Sequence, residues 1–286
     1  MTTTTTPLNV LEQAFYDYAV QQQDVKTHYA LQIIRSVQSV ATVVGKEAQA
    51  IVTADILRWK TGWAGKKSTL RTRISHLRTF YAWLTMGGGQ TPIPANLKVK
   101  VNRDDPYTPS AAEYQAMLPI VADSLPALRY LFHLLAGSGM RLNEALQMPR
   151  DAIDFDEEIL TLSTETMQIK RDHGRHTICS PEGWAFLRSE AAQRVLMPLP
   201  LSERQVRYFC EKLTEAAGLR DRLTPHALRR YAANHWYWDL GMPAERVADL
   251  LGHASVDTTR TNYLERRTHK SATLAAEAAR GGTDNG

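Results

Sequence analysis

The amino-acid sequence predicts a mainly helical protein of two domains, with a small antiparallel sheet confined to the second. Three observations carry that expectation. Apolar residues recur at helical spacing over residues 8–86, and a stretch rich in proline and glycine follows up to Pro109. Beyond a second helical block, the texture changes near Ile153 to short β-like runs. A chain of 286 residues is long enough to build two cores.

Met1 and the five threonines after it lack the basic start and apolar stretch of a signal peptide, so residues 1–7 are expected as a flexible lead-in. Leu11, Phe15 and Tyr18 share one helix face, as do Ile33, Val37 and Val40. Leu70, Ile74, Leu77, Tyr81 and Leu84 stripe a further helix, with Ser68 as its expected N-cap and Gly87-Gly88-Gly89 as its stop. Residues 8–87 thus read as an all-helical domain. Pro92, Pro94, Pro106 and Pro109 mark residues 88–108 as a linker. Residues 109–270 form the second domain, helical from about Ser110 to Met148. Its sheet is expected from Ile153, Phe155, Ile159, Leu160 and Leu162, and from Arg175-His176-Thr177-Ile178 across a polar turn. Helices resume near Pro181, and residues 271–286 read as a tail.

Apolar and charged fractions of 43% and 22% are those of a globular protein, and no apolar run approaches the roughly 20 residues that span a bilayer. No membrane partner is therefore expected. Cys179 and Cys210 sit among core-like neighbours and read as two buried thiols in a reducing cytoplasm. A net charge of +4 leans mildly toward polyanionic partners. Its distribution says more. Ile56 to Met86 contains no Asp or Glu but carries Arg58, Lys60, Lys66, Lys67, Arg71, Arg73 and Arg78, interleaved with tryptophans. Lys98, Lys100 and Arg103 lie on the linker. A solvated basic face and a surface for the DNA backbone both fit these residues.

Four separated segments hold polar groups that apolar packing leaves unexplained. Arg141 follows the glycine-containing break Gly137-Ser138-Gly139 at the start of a helix, and Glu144 lies one turn on, where it can orient the guanidinium. Lys170 heads a polar turn that runs to Arg175. Thr224 suits an N-cap and Pro225 the first helical position, which places His226 and Arg229 one turn apart near the positive end of a helix, where an anion is favoured. Leu251-Gly252-His253 ends another helix, and Tyr263 follows on the next. Singly, each has a plain alternative: a surface ion pair, a solvated lysine, a core tyrosine. Together, two arginines, two histidines, a lysine and a tyrosine are the groups that cleave a phosphodiester without metal or cofactor. Guanidiniums neutralise the non-bridging oxygens, imidazoles and a lysine move protons, and a phenol supplies the nucleophile. The clustered carboxylates of a two-metal nuclease are missing from these segments.

In order and spacing, these strings resemble the tyrosine recombinases, the phage integrases and Xer-type resolvases, over about residues 8–270. The resemblance implies that Arg141 and Arg229 clamp the scissile phosphate, with Glu144 in support. It implies that His226 and His253 assist by hydrogen bonding and proton transfer, and that Lys170 is the general acid, with Arg171 its nearest competitor. Tyr263 would attack, leaving a 3′-phosphotyrosyl link. Residues 8–87 would be the core-binding domain and residues 109–270 the catalytic domain, closing together on duplex DNA, so the acid-free basic stretch becomes a DNA surface. No cofactor or metal is implied. The partners implied are double-stranded DNA at specific core sites and a homotetramer assembled on it, with room for a directionality factor. The segment from Ser271 to Ala279 could pass to a neighbouring protomer. Ten residues separate His253 from Tyr263 where many members have nine, and Tyr231 is expected to pack rather than react. Integration or excision of a phage or other mobile element is the expected function. A Xer-like dimer resolvase, a non-catalytic DNA-binding regulator and a type IB topoisomerase are the alternatives.

Overall fold

The computed structural model describes residues 8–86, 88–101, 106–167, 174–262 and 264, and the chain divides into two compact units, Met1–Arg103 and Asp104–Gly286. The architecture is mainly α-helical with one small antiparallel sheet, as the sequence predicts.

In the first unit, α1 (Val10–Asp17) starts at a reciprocal cap: Asn9 Oδ1 accepts from Glu12 N at 2.9 Å, and Glu12 returns a carboxylate oxygen to Asn9 N at 3.0 Å. A π-helical turn, Tyr18–Gln22, extends it. α2 (Thr27–Val44) ends at Gly45 in the left-handed conformation, and α3 (Thr53–Thr61) and α4 (Lys67–Leu84) complete the unit. The apolar stripes read from the sequence converge here, with Phe15, Ile33, Val37, Ile56, Leu77, Phe80 and Tyr81 all buried. Ile93 and Leu97 join the same core, and Arg78 Nη2 holds the segment down by donating to Leu97 O at 2.6 Å. Ser68 is not the N-cap of α4. The helix starts one residue after Lys66, whose carbonyl accepts both from Leu70 N at 3.1 Å and from the Trp63 indole at 3.2 Å. That aromatic tie fixes the junction upstream of Ser68, which lies in the first turn.

The second unit runs through α5 (Ala111–Ala122), α6 (Pro126–Ser138) and α7 (Leu142–Gln147) to β1 (Ile153–Asp154), β2 (Ile159–Leu162) and β3 (Arg175–Thr177). The sheet order is β1-β2-β3, antiparallel throughout, with Ile153 opposite Leu160 and Leu162 opposite Arg175. Then follow α8 (Pro181–Leu187), α9 (Glu190–Gln193), α10 (Glu203–Ala216), α11 (Pro225–Asn234), α12 (Ala244–Leu251) and α13 (Val256–Asn262). α6, buried from Tyr130 to Ser138, is the central post, with α11 and α8 packed on it. Cys179 and Cys210 are buried free thiols, both pushed up to about 12 by burial. No described helix is long and apolar enough to cross a membrane.

Candidate active site

The end of α12 organises the site. Gly252 takes φ +67°, which lets its N–H donate to Asp249 O at 2.9 Å and lets His253 N reach back to Ala248 O at 3.0 Å. This pair of bonds is the Schellman closure of a helix, and it explains the Leu-Gly-His string in local terms. The carbonyls left over at the helix end then take three arginines in succession. Arg175 Nε donates to Leu250 O at 3.0 Å, Arg229 Nη2 to Leu251 O at 2.7 Å, and Arg141 Nη2 to Gly252 O at 3.2 Å. Cations are favoured there because unpaired carbonyls and the helix dipole both present negative charge.

Each guanidinium arrives on a different element. Arg141 follows the left-handed Gly139 that ends α6, where an added Cβ would lie 2.9 Å from a Leu251 methyl and 3.1 Å from the Trp236 ring. Only glycine allows that close approach. Arg229, on α11, is 1% exposed and also donates Nη1 to Gly139 O at 2.5 Å. Glu144 binds the group together from within. Its carboxylate accepts from Arg141 N at 2.7 Å and from Arg141 Nη1 at 2.8 Å, takes both ends of the Arg175 guanidinium, and lies 3.9 Å from Arg229 Nη1. Burial works to raise the Glu144 pKa, but its bonds to Arg175 and Arg141 outweigh that and hold it at about 2. One carboxylate facing three guanidiniums leaves the centre with excess positive charge, which suits an incoming phosphate.

The two histidines complete the cluster. His253 Nε2 lies 3.2 Å from Arg229 Nη2, and its Nδ1 lies 2.7 Å from Thr259 Oγ1. His226 stands in the first turn of α11, where Thr224 Oγ1 caps Ala227 N at 3.1 Å, and it opens to solvent. Partial burial, then the charges of Arg230, Arg229 and Arg141, lower its pKa to about 4. Burial, then Arg229, Arg141, Arg175 and His226, take His253 down to about 3. Both imidazoles are therefore neutral at pH 7, each with a proton to give or a lone pair to offer.

Comparison with known proteins decides the family. The Phage integrase family model matches residues 110–270. The chain belongs to the phage integrase family. It is 30% identical over 234 residues to tyrosine recombinase XerC of Xylella fastidiosa (strain M23), covering 78% of each chain. Its fold is similar to that of a lambda integrase dimer bound to a core site, at a TM-score of 0.71 and 18% identity, covering 90% of this chain and 95% of that one. It is also similar to the Tn1549 transposon integrase in complex with transposon right end DNA, at a TM-score of 0.71 and 14% identity, covering 94% and 99%.

In this family member, Arg141, Glu144, His226, Arg229 and His253, read from three separate stretches of sequence, come together. Lys170, Tyr263 and Arg103 lie outside the described residues. Tyr231 packs, stacked on Tyr114 with ring centroids 4.3 Å apart. In the first unit, Arg58, Lys66, Lys67 and Arg71 are exposed, as are Lys98 and Lys100, while Lys60 is half-buried. Arg73 is half-buried and Arg78 exposed, and both bond within the unit: Arg73 donates to Ser39 Oγ at 2.5 Å beneath the Trp63 ring, and Arg78 donates to Leu97 O. Sequence reasoning missed Arg175 as part of the cluster and used it only to locate Lys170. Strand alternation was the available signal, since Arg175 shares a strand face with the buried Thr177.

Proposed function

We propose that this phage integrase family member is a site-specific DNA recombinase that cuts and rejoins strands through a 3′-phosphotyrosyl intermediate. The convergence of Arg141, Arg229, His226 and His253 on one positively charged centre at the end of α12 supports this reading most strongly. The guanidiniums of Arg141 and Arg229 bind the non-bridging oxygens of the scissile phosphate and stabilise the charge that builds as a fifth oxygen approaches phosphorus. Tyr263 forms the new P–O bond, and the bond to the 5′-oxygen breaks, with Lys170 supplying the proton that the departing oxygen takes. His226 and His253 hydrogen-bond the phosphate and accept or return the phenol proton. The 5′-hydroxyl of a partner strand reverses the sequence, so the bond energy is kept and no cofactor is consumed.

Residues 8–87 grip the core-site duplex through the exposed basic residues of α3 and α4, and residues 109–270 carry out the chemistry. Each protomer cuts one strand, so exchange between two duplexes takes a homotetramer assembled on DNA, in the cytoplasm. The element served is a phage or another mobile element. A second reading, a Xer-like dimer resolvase, draws on the 30% identity to XerC across 78% of both chains. The chemistry is tested with nicked suicide duplexes made from the DNA flanking the gene. A covalent protein–DNA adduct is expected with wild type and none with Tyr263→Phe, whereas an undiminished adduct with the variant contradicts the mechanism. Recombination of two different attachment sites marks an integrase, and resolution of two identical sites on a plasmid dimer marks a resolvase.

A further inference from the structure

We infer that Arg230, together with Arg220, is a positioning residue that pins the first turn of α11, and so His226 and Arg229, against the strap 106–109; the inference rests on the proposed roles of His226 and Arg229. The strap lies near the start of the second unit, and its sequence makes it stiff. Pro106 and Pro109 fix their own φ, and Pro109 also holds Thr108 extended. Thr108 is 2% exposed and Tyr107 half-buried, so the strap lies against the unit. Two guanidiniums take its successive carbonyls. Arg230 donates both Nε, at 3.2 Å, and Nη2, at 2.5 Å, to Tyr107 O, and Arg220 Nη2 donates to Thr108 O at 3.1 Å.

The two arginines bracket the turn that carries His226. Arg220 precedes the Thr224 cap and Arg230 follows Arg229, so the strap is tied both to the loop before α11 and to the helix itself. Glu113 reinforces the Arg220 side. Its carboxylate accepts from the Tyr107 hydroxyl at 3.0 Å and from Arg220 N at 3.1 Å, and the Arg220 guanidinium lies 5.2 Å from the centre of the Tyr107 ring. Tyr231, next on α11, stacks on Tyr114 of α5, just beyond the strap. Arg230 is 8% exposed and stands one helical turn from His226, where side chains four apart are neighbours. Bonded to the strap through two nitrogens, its guanidinium keeps a fixed place beside that imidazole. Burial, then the charges of Arg230, Arg229 and Arg141, keep His226 neutral, with a lone pair for the phenol proton.

Single-turnover cleavage at saturating nicked duplex tests this, with Arg230→Met, Arg230→Lys, Arg220→Met and His226→Gln compared with wild type. Arg230→Met is expected to cut about 10- to 100-fold more slowly, and Arg220→Met about 3- to 10-fold more slowly, because a small misplacement of the reacting groups is costly. Arg230→Lys is expected to recover most of the rate, since both Arg230 nitrogens converge on one oxygen that a single ammonium can also reach. Arg220 is exposed, so Arg220→Met decides the matter even where Arg230→Met does not fold. A wild-type rate in either Met variant overturns the inference if His226→Gln is slow. If His226→Gln is also unimpaired, the proposed role of His226 falls and the inference with it. Equal loss in Arg230→Lys and Arg230→Met overturns it too. Proton NMR titration of His226 without DNA adds a readout that loss of packing alone would not move. Arg230→Met is expected to raise the His226 pKa from about 4 toward its ordinary 6.5, and Arg230→Lys to keep it low. An unchanged value in Arg230→Met overturns the inference.

Discussion

Arg175 grips Glu144 with both ends of its guanidinium, Nη1 on Oε1 at 3.0 Å and Nη2 on Oε2 at 2.7 Å. The two side chains are only 7% and 2% exposed, so neither charge can turn to water if its partner is lost. Glu144→Gln and Arg175→Met are each expected to destabilise the second unit by about 3–5 kcal/mol, because each breaks a buried, doubly hydrogen-bonded ion pair. The double variant should lose much less than the sum. Urea denaturation checks this, and additive losses contradict it.

Gly252 and Gly45 both close helices at φ +67°, yet an added Cβ has open space at Gly45 and would lie 2.7 Å from Arg175 Cδ at Gly252. Gly45→Ala should therefore cost only the roughly 1–2 kcal/mol of a left-handed non-glycine residue. Gly252→Ala should cost more and should also lower the cleavage rate, because Arg175 must move and the carbonyls that hold Arg141 and Arg229 move with it. Equal losses of stability, with cleavage intact in both, contradict this account of the turn.

Acid should weaken the fold through His253 and His226 before it reaches Glu144. His253 and His226 are held at about 3 and about 4, below their ordinary 6.5, so the unfolded chain takes up protons that the native one refuses. Stability is complete above pH 6.5 and falls as the pH drops toward 4. The Glu144 contribution is lost only lower, from its ordinary 4.5 down to about 2. Thermal melts between pH 7.5 and 4.5 should show a falling Tm, with a shallower fall in His253→Gln. An identical pH dependence in that variant contradicts the sign.

The basic residues of α3 and α4 should divide into two groups. Lys67→Ala or Arg71→Ala, at exposed positions, should each weaken DNA binding and reduce the salt dependence of the binding constant by about 1 in log–log slope. Arg78→Ala should leave that slope unchanged and lower Tm instead, because Arg78 holds Leu97 in place. A loss of slope for Arg78→Ala would assign it to DNA after all.

How far the sequence revealed the fold and the site follows from which contacts are local. The Thr224-Pro225 cap and the Gly252 helix stop were legible because the groups that form them are neighbours in the chain. The helical stripes of the first unit were legible because one buried face repeats every turn. Ser68 misled because an indole from Trp63, outside the helix, sets where α4 begins. Arg175 was passed over because its partners lie 31 and 75 residues away. The three carbonyls of α12 were invisible for a different reason: every residue has a carbonyl, and only the folded chain shows which ones are left over.

The central claim is that this cluster exists to present a phosphate to one tyrosine, ten residues beyond His253. The most direct test is to trap the covalent complex on a nicked duplex, digest it, and identify the DNA-linked peptide by mass spectrometry. The account predicts a nucleotide adduct on Tyr263, joined through a 3′-phosphate. An adduct on Tyr231 or on any other residue, or a link through the 5′-phosphate, would contradict it.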